Sequence, residues 1–87
     1  MAQYNLTANG STPTVSHGGG TGTFAAFGTF GGGTIKLEAS FDSGSTWLDL
    51  GDLTTFTENG LANYEIYPCQ LRASLTGSTT PNITVVI

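Results

Sequence analysis

Two carboxylates and an indole are the side chains of this sequence best spaced for chemistry: Glu38 and Asp49 flank a turn, with Trp47 between them. If the flanking segments pair as strands, the two carboxyl groups share one face with Cβ atoms about 5 Å apart, loosely the spacing of a retaining glycosidase with Trp47 as sugar platform. A small sheet face offers no cleft to exclude water or to raise one of the two pKa values, so catalysis is the weaker reading. Sugar binding without catalysis, through Trp47 or the Tyr64/Tyr67 edge, is the stronger one. Asp42, Asp49 and Asp52 lack the Asp-x-Asp-x-Asp-Gly order of a calcium loop. Cys69 and His17 are the only cysteine and the only histidine. An intrachain disulfide is therefore impossible, and a zinc site would need other ligands. Cys69 reads as a small apolar residue at a strand start, since His17 sits apart from it in a glycine run and no base is at hand. No catalytic, cofactor-binding or metal-binding residue is expected.

The element that must position these groups is a hairpin over residues 34–50. Ile35, Leu37, Ala39 and Phe41 alternate with Lys36, Glu38 and Ser40, the period of a strand with one buried face. Asp42-Ser43-Gly44-Ser45 supplies the turn, through an Asp that accepts backbone N–H bonds and a Gly that tolerates positive φ. A four-residue loop sets Ala39 opposite Leu48 and Leu37 opposite Leu50. A five-residue loop inverts the second strand and turns both leucines to water. The four-residue register leaves Trp47 on the outer face in need of a cover. It also sets Glu38 against Asp49, a like-charge pair that Lys36 can offset.

The remaining segments read as further short strands. Tyr4 and Leu6 mark the first; residues 23–30 form an aromatic strand with Phe24 and Phe30 on one face and Phe27 on the other. Gly31-Gly32-Gly33 precedes a strand and no Gly-Lys-Ser/Thr follows, so it is a bend rather than a phosphate loop. Residues 53–58 lean toward strand and end at Asn59-Gly60, a turn dipeptide. Residues 63–67 alternate with Tyr64 and Ile66 inward until Pro68; Leu71, Ala73 and Leu75 alternate with Arg72 and Ser74; residues 83–87 close the chain. No window carries a 3.6-residue period. The expectation is an all-β domain: a single small antiparallel β-sandwich or barrel of seven or eight short strands.

Residues 1–22 are set apart as an N-terminal strand and an extended Gly/Ser/Thr-rich arm, and 23–87 as the sandwich. The arm has almost nothing to bury, and its glycines make ordering costly. Contact with neighbouring chains is the expected source of its order, the alternative being a loop folded over its own sheet. In 87 residues only one domain fits, with a thin core and no disulfide to staple it.

Charge narrows the function classes. Two basic and six acidic residues give a formal net charge of −4, which repels phosphate backbones, so nucleic acid is not an expected partner. No stretch is long and apolar enough to span a membrane, and residues 1–5 lack the pattern of a signal peptide, which points to synthesis in a cytoplasm. Three Asn-x-Ser/Thr sequons carry no weight without secretion.

Two resemblances follow from these residues. Ser40-Phe41-Asp42-Ser43-Gly44-Ser45-Thr46-Trp47 matches the Asp-box hairpin of sialidase-like propellers at every specified position, but a propeller repeats it and here it occurs once. It marks a well-formed turn and says nothing about sialic acid. Gly28 to Glu38, then Asp42 to Trp47, then Tyr67-Pro68-Cys69-Gln70-Leu71-Arg72-Ala73, in that order, resemble small β-sandwich virion proteins of tailed bacteriophages. Members of that group are head decoration (cement) proteins and related structural parts. The resemblance implies a virion protein without chemistry of its own, a homo-oligomer, with a trimer favoured, seated on the major capsid protein. Under that expectation Tyr4, Leu6, His17, Phe24, Phe27 and Trp47 are the interface candidates.

Overall fold

The computed structural model of the chain describes residues 2–87. Its strands in order are β1 (Gln3–Leu6), β2 (Gly10–Ser11), β3 (Val15–His17), β4 (Gly20–Thr29), β5 (Thr34–Ser40), β6 (Leu48–Asp49), β7 (Thr55–Phe56), β8 (Gly60–Ile66), β9 (Cys69–Thr76) and β10 (Asn82–Val86). They form two antiparallel sheets. The first runs β1-β10-β4-β8; the second is centred on the β9-β5 pair, with β2 and β3 along the free side of β9 and β6 and β7 along the free side of β5. This is the expected all-β, sandwich-like architecture. The strand count exceeds seven or eight because β2, β3, β6 and β7 are pieces of two or three residues that line two edges.

Alternation builds the core as the period-two pattern requires. Ile35, Leu37 and Ala39 of β5 and Leu71, Ala73 and Leu75 of β9 are buried, and they meet Phe24 and Ala26 of β4 and Ile83 and Val85 of β10. Phe30 and Ile87 are buried too, while Phe27, on the opposite face of β4, is 46% exposed. Phe56 of β7 stacks on Phe24 with ring centroids 5.5 Å apart. Gly28, at φ +132°, lets β4 approach β10 closely; a Cβ there would land on the Asn82 carbonyl oxygen.

The hairpin adopts the four-residue register, with Ala39 opposite Leu48, Glu38 opposite Asp49, and the Leu50 N–H donating to the Leu37 carbonyl at 3.1 Å. Leu48 nevertheless stays 55% exposed, because β6 is the outermost strand of its sheet. Of residues 53–58 only Thr55–Phe56 are strand. Gly51, at φ +108°, turns the chain into a 3-10 turn over Asp52–Thr54, held by the Thr54 and Thr55 hydroxyls on the Gly51 carbonyl.

The arm is where the expectation fails. Residues 9–22 do not extend away from the domain: β2 and β3 pair with β9, and residues from Gly20 onward belong to β4. Backbone hydrogen bonds need no side-chain bulk, so a segment with little to bury is held along the open edge of β9. Side chains complete the clasp. The Asn9 amide donates to the Ser78 carbonyl and accepts the Ser78 N–H, each at 2.9 Å. Buried Thr12 donates its N–H to the Ala73 carbonyl at 2.9 Å and accepts the Ala73 N–H on its hydroxyl at 3.0 Å.

Candidate functional site

The outer face of the second sheet holds the residues that looked most like chemistry, and structure consumes them. Glu38 and Asp49 are directly opposite, but each has its own cation: Lys36 Nζ is 3.6 Å from Asp49, and Arg72 Nε is 2.9 Å from Glu38. Arg72 comes from β9, which pairs Arg72 with Glu38. Its guanidinium also lies 4.2 Å from the Trp47 ring centroid. The cover that the indole needed is therefore a cation from the same chain, and a sugar ring on that side of Trp47 would have to displace it. Both basic residues of the protein are spent on this face.

The turn beyond it is closed on itself. The Ser40 hydroxyl donates to Asp42 Oδ1 at 2.8 Å and accepts the Gly44 N–H at 2.8 Å, while the Thr46 N–H donates to Asp42 Oδ1 at 2.7 Å. Hydrogen bonds from Thr46, hydroxyl and N–H, with the Ser40 hydroxyl, hold the Asp42 carboxyl below its usual 3.8. Ser43, at φ +63°, is the left-handed residue that aims these N–H groups inward.

At one end of the sandwich the register sets His17 directly opposite Cys69, closer than the sequence separation suggests. They still form no nucleophilic pair. The His17 ring leans on Tyr64, with centroids 5.6 Å apart, and its Nε2 lies 3.2 Å from the Gly20 carbonyl. Burial pushes the Cys69 thiol above its usual 9.0, the opposite of activation. Burial, with the Cys69 charge secondary, raises Tyr64 as well. A cavity of about 370 Å³ opens here between the sheets, lined by Val15, His17, Gly22, Tyr64, Leu71 and Ile87. Gly22 makes room for it: a Cβ there would sit 2.5 Å from the Tyr64 ring. Among the described residues no cluster of three metal-ligating side chains occurs, and no helix is long and apolar enough to cross a membrane.

The outer face of the first sheet is of another kind. Ala25 of β4 is paired with Leu61 of β8 on one side and Val86 of β10 on the other, so an apolar row crosses three strands. Phe27, next outward on β4, adjoins it, and Leu61 is 67% exposed. Hydroxyl and amide groups border the row, Thr23 bonded to Asn63 and Asn5 to Asn82. Among the described residues of these four strands, the one ionisable side chain on this face is Glu65.

Of the six interface candidates, only Phe27 is substantially exposed. Phe24 has no exposure and belongs to the core, so it cannot meet a partner. Its period-two neighbour Ala26 shares its side, and the strand lies between β10 and β8. Tyr4 and Leu6 face inward on β1, Leu6 against the core. His17 packs on Tyr64, and Trp47 is half-buried under Arg72. Leu61 was missed. Its exposure follows from the β4–β8 pairing, which only the order Leu61-x-Asn63-x-Glu65 on one face hinted at. Comparison of the chain with known protein families, curated proteins and solved structures finds no match.

Proposed function

We propose that the protein is a non-enzymatic structural component of a tailed-phage particle, a head decoration protein that binds the major capsid protein through the outer face of its first sheet. The observation that carries this reading is the division of the surface. The charged side chains of the second sheet's outer face are paired with one another, while the first sheet presents Phe27 and Leu61 on a face whose strands carry one charged residue, Glu65, four positions along β8 from Leu61. Such a face gains free energy when another surface covers it. The order of motifs from Gly28 to Ala73, which resembles small phage virion proteins, supplies the class of partner.

The magnitude decides how such a protein binds. Phe27 and Leu61 together expose roughly 200 Å² of apolar surface, worth about 5 kcal/mol at 25 cal/mol per Å². That is no more than the cost of associating two free bodies, so one such contact is weak, and an oligomer seated on a repeating lattice multiplies it. The test is cosedimentation with phage heads stripped of decoration. Wild type and Trp47→Ala are retained and Phe27→Asp is lost; equal retention of Phe27→Asp removes the assignment of the face. A tail or head-to-tail component is the neighbouring reading, distinguished by which purified assembly retains the protein. A carbohydrate-binding module is the second reading, resting on Tyr67, 80% exposed; it predicts retention on a glycan array that Tyr67→Ala abolishes.

A further inference from the structure

We infer that the first residues of β4, Gly20–Thr23, form a slot for an extended segment of another protein in which a polar, an aromatic and a basic residue follow one another. β4 outruns the strand beside it. Its ladder with β10 stops at Ala25 opposite Val86, while its ladder with β8 runs on to Gly20. Among the described residues nothing pairs with Gly20–Thr23 on the β10 side. Which backbone groups face that side follows from strand alternation. Ala2 and Ile87 exchange both of their N–H···O bonds, at 3.0 and 2.9 Å, so Ile87 turns its polar groups to β1 and Val86 turns its own to β4. Ala25 is thus aimed at β10, and by the same alternation Thr23 and Thr21 aim their N–H and carbonyl groups to the side where no strand lies. The stretch Gly-Thr-Gly-Thr carries neither the charge nor the proline that blunts an edge.

The occupant follows from what surrounds these groups. A residue set opposite Gly22 points inward, to the cavity of about 370 Å³ lined by Val15, His17, Tyr64, Leu71 and Ile87. An apolar cavity of about 150 Å³ already accepts benzene, so this one takes the ring of a phenylalanine or tryptophan. The His17 and Tyr64 rings, inclined at 57°, make a corner in which an aromatic guest stacks on one and meets the edge of the other. Residues set opposite Thr23 and Thr21 point outward, over a recess lined by Thr21, Gly22, Thr23 and Asn63. Glu65 is the β8 partner of Thr21 on that face. It stands two strand spacings, about 10 Å, from a residue on the other side of Thr21, a distance that a lysine and a glutamate close between them over the short threonine. With Lys36 and Arg72 already paired, the net charge of −4 draws a basic segment and repels a second copy. A segment antiparallel to β4 therefore meets Thr23 with its polar residue, Gly22 with its aromatic one and Thr21 with its basic one. A short main-chain ladder with one filled pocket is recognition by strand addition. It is independent of the decoration reading, which rests on Phe27 and Leu61.

NMR titration of the isotope-labelled chain with the peptide acetyl-Gly-Ser-Thr-Phe-Lys-Thr-Gly-amide tests it, with the controls placed in the peptide so that the protein fold is untouched. The expected result is that the Thr21 and Thr23 amides shift and gain protection from hydrogen exchange. Affinity falls about tenfold or more when the peptide phenylalanine becomes aspartate, or when the main-chain nitrogen of its lysine is methylated, and it falls when that lysine becomes glutamate. Thr21 and Thr23 amides unmoved at millimolar peptide overturn the inference, as does equal affinity for all four peptides. So do amides already protected in the dilute free chain, protection that rises with protein concentration alone, or indole bound as tightly as the peptide. Those three results assign the slot to the chain itself, to a second copy or to a small molecule.

Discussion

Replacing Thr12 by valine isolates what holds the arm to the domain. Ser11 is opposite Ser74 and Val15 is opposite Leu71, so four steps along the arm match three along β9. One residue is extra, which is a bulge, and it falls where Pro13 has no N–H to give. The Thr12 hydroxyl accepts the Ala73 N–H that the interrupted ladder would leave unpaired. Thr12 is 5% exposed and Ala73 fully buried, so water cannot substitute. Valine keeps the shape and removes the acceptor, and orphaning one buried N–H costs about 1–3 kcal/mol. For a domain of this size each kcal/mol corresponds to about 4–8 °C, so a loss of about 2 kcal/mol lowers the melting temperature by roughly 8–16 °C. Thr12→Ser keeps the hydroxyl and loses only a methyl, and it should lie between wild type and valine. Thermal melts give the ranking, and native-state hydrogen exchange shows whether the amides of residues 10–17 open first. A Thr12→Val protein within about 0.5 kcal/mol of wild type, or a serine variant less stable than the valine one, would refute the reasoning.

Four further outcomes follow. Gly28→Ala should abolish folding or cost at least about 3 kcal/mol, seen as lost expression or a collapsed melt, because its Cβ meets the Asn82 backbone and its φ is positive. Ser40→Ala removes three hydrogen bonds of a buried hydroxyl, one donated to Asp42 Oδ1 and two accepted from the Asp42 and Gly44 N–H groups, and should cost about 2 kcal/mol by urea denaturation. Asp42 has a folded pKa below 3.8, so its contribution is complete above that value and disappears as pH falls through the folded pKa. The stability difference between wild type and Asp42→Asn should therefore be flat at neutral pH and shrink below about pH 3.8. Cys69, with its thiol raised by burial, should react with iodoacetamide at pH 7 more slowly than free cysteine; a faster reaction contradicts the environment described.

How much of this was legible in the residues depends on the range of the contact. The hairpin register came from Ala39, Leu48 and the turn chemistry of residues 42–45, all within one local window. So did the inward sets on β5 and β9, since period two needs no partner to be visible. What stayed hidden is carried by long-range pairing. Arg72 reads in the sequence only as an outward residue of its strand, because Glu38 and Trp47 are far from it along the chain, yet β5–β9 pairing puts it over both. The arm looked unanchored because its anchors are main-chain groups of β9 and the backbone of Ser78, which hydrophobic patterning does not see. Phe24 and Phe27 were both placed on an apolar strand, with faces correctly opposed, but which face is the core depends on where the second sheet lies. Leu61 is the same problem reversed: its exposure follows from pairing with Ala25 on the outer side.

The most direct measurement is a density map of the intact virus particle at a resolution that shows strands. The account predicts this sandwich on the head, with the Phe27 and Leu61 face turned onto the major capsid protein and the Lys36–Asp49 face toward solvent. A particle on which the sandwich is absent, or on which the Phe27 face points away from every neighbour, contradicts it.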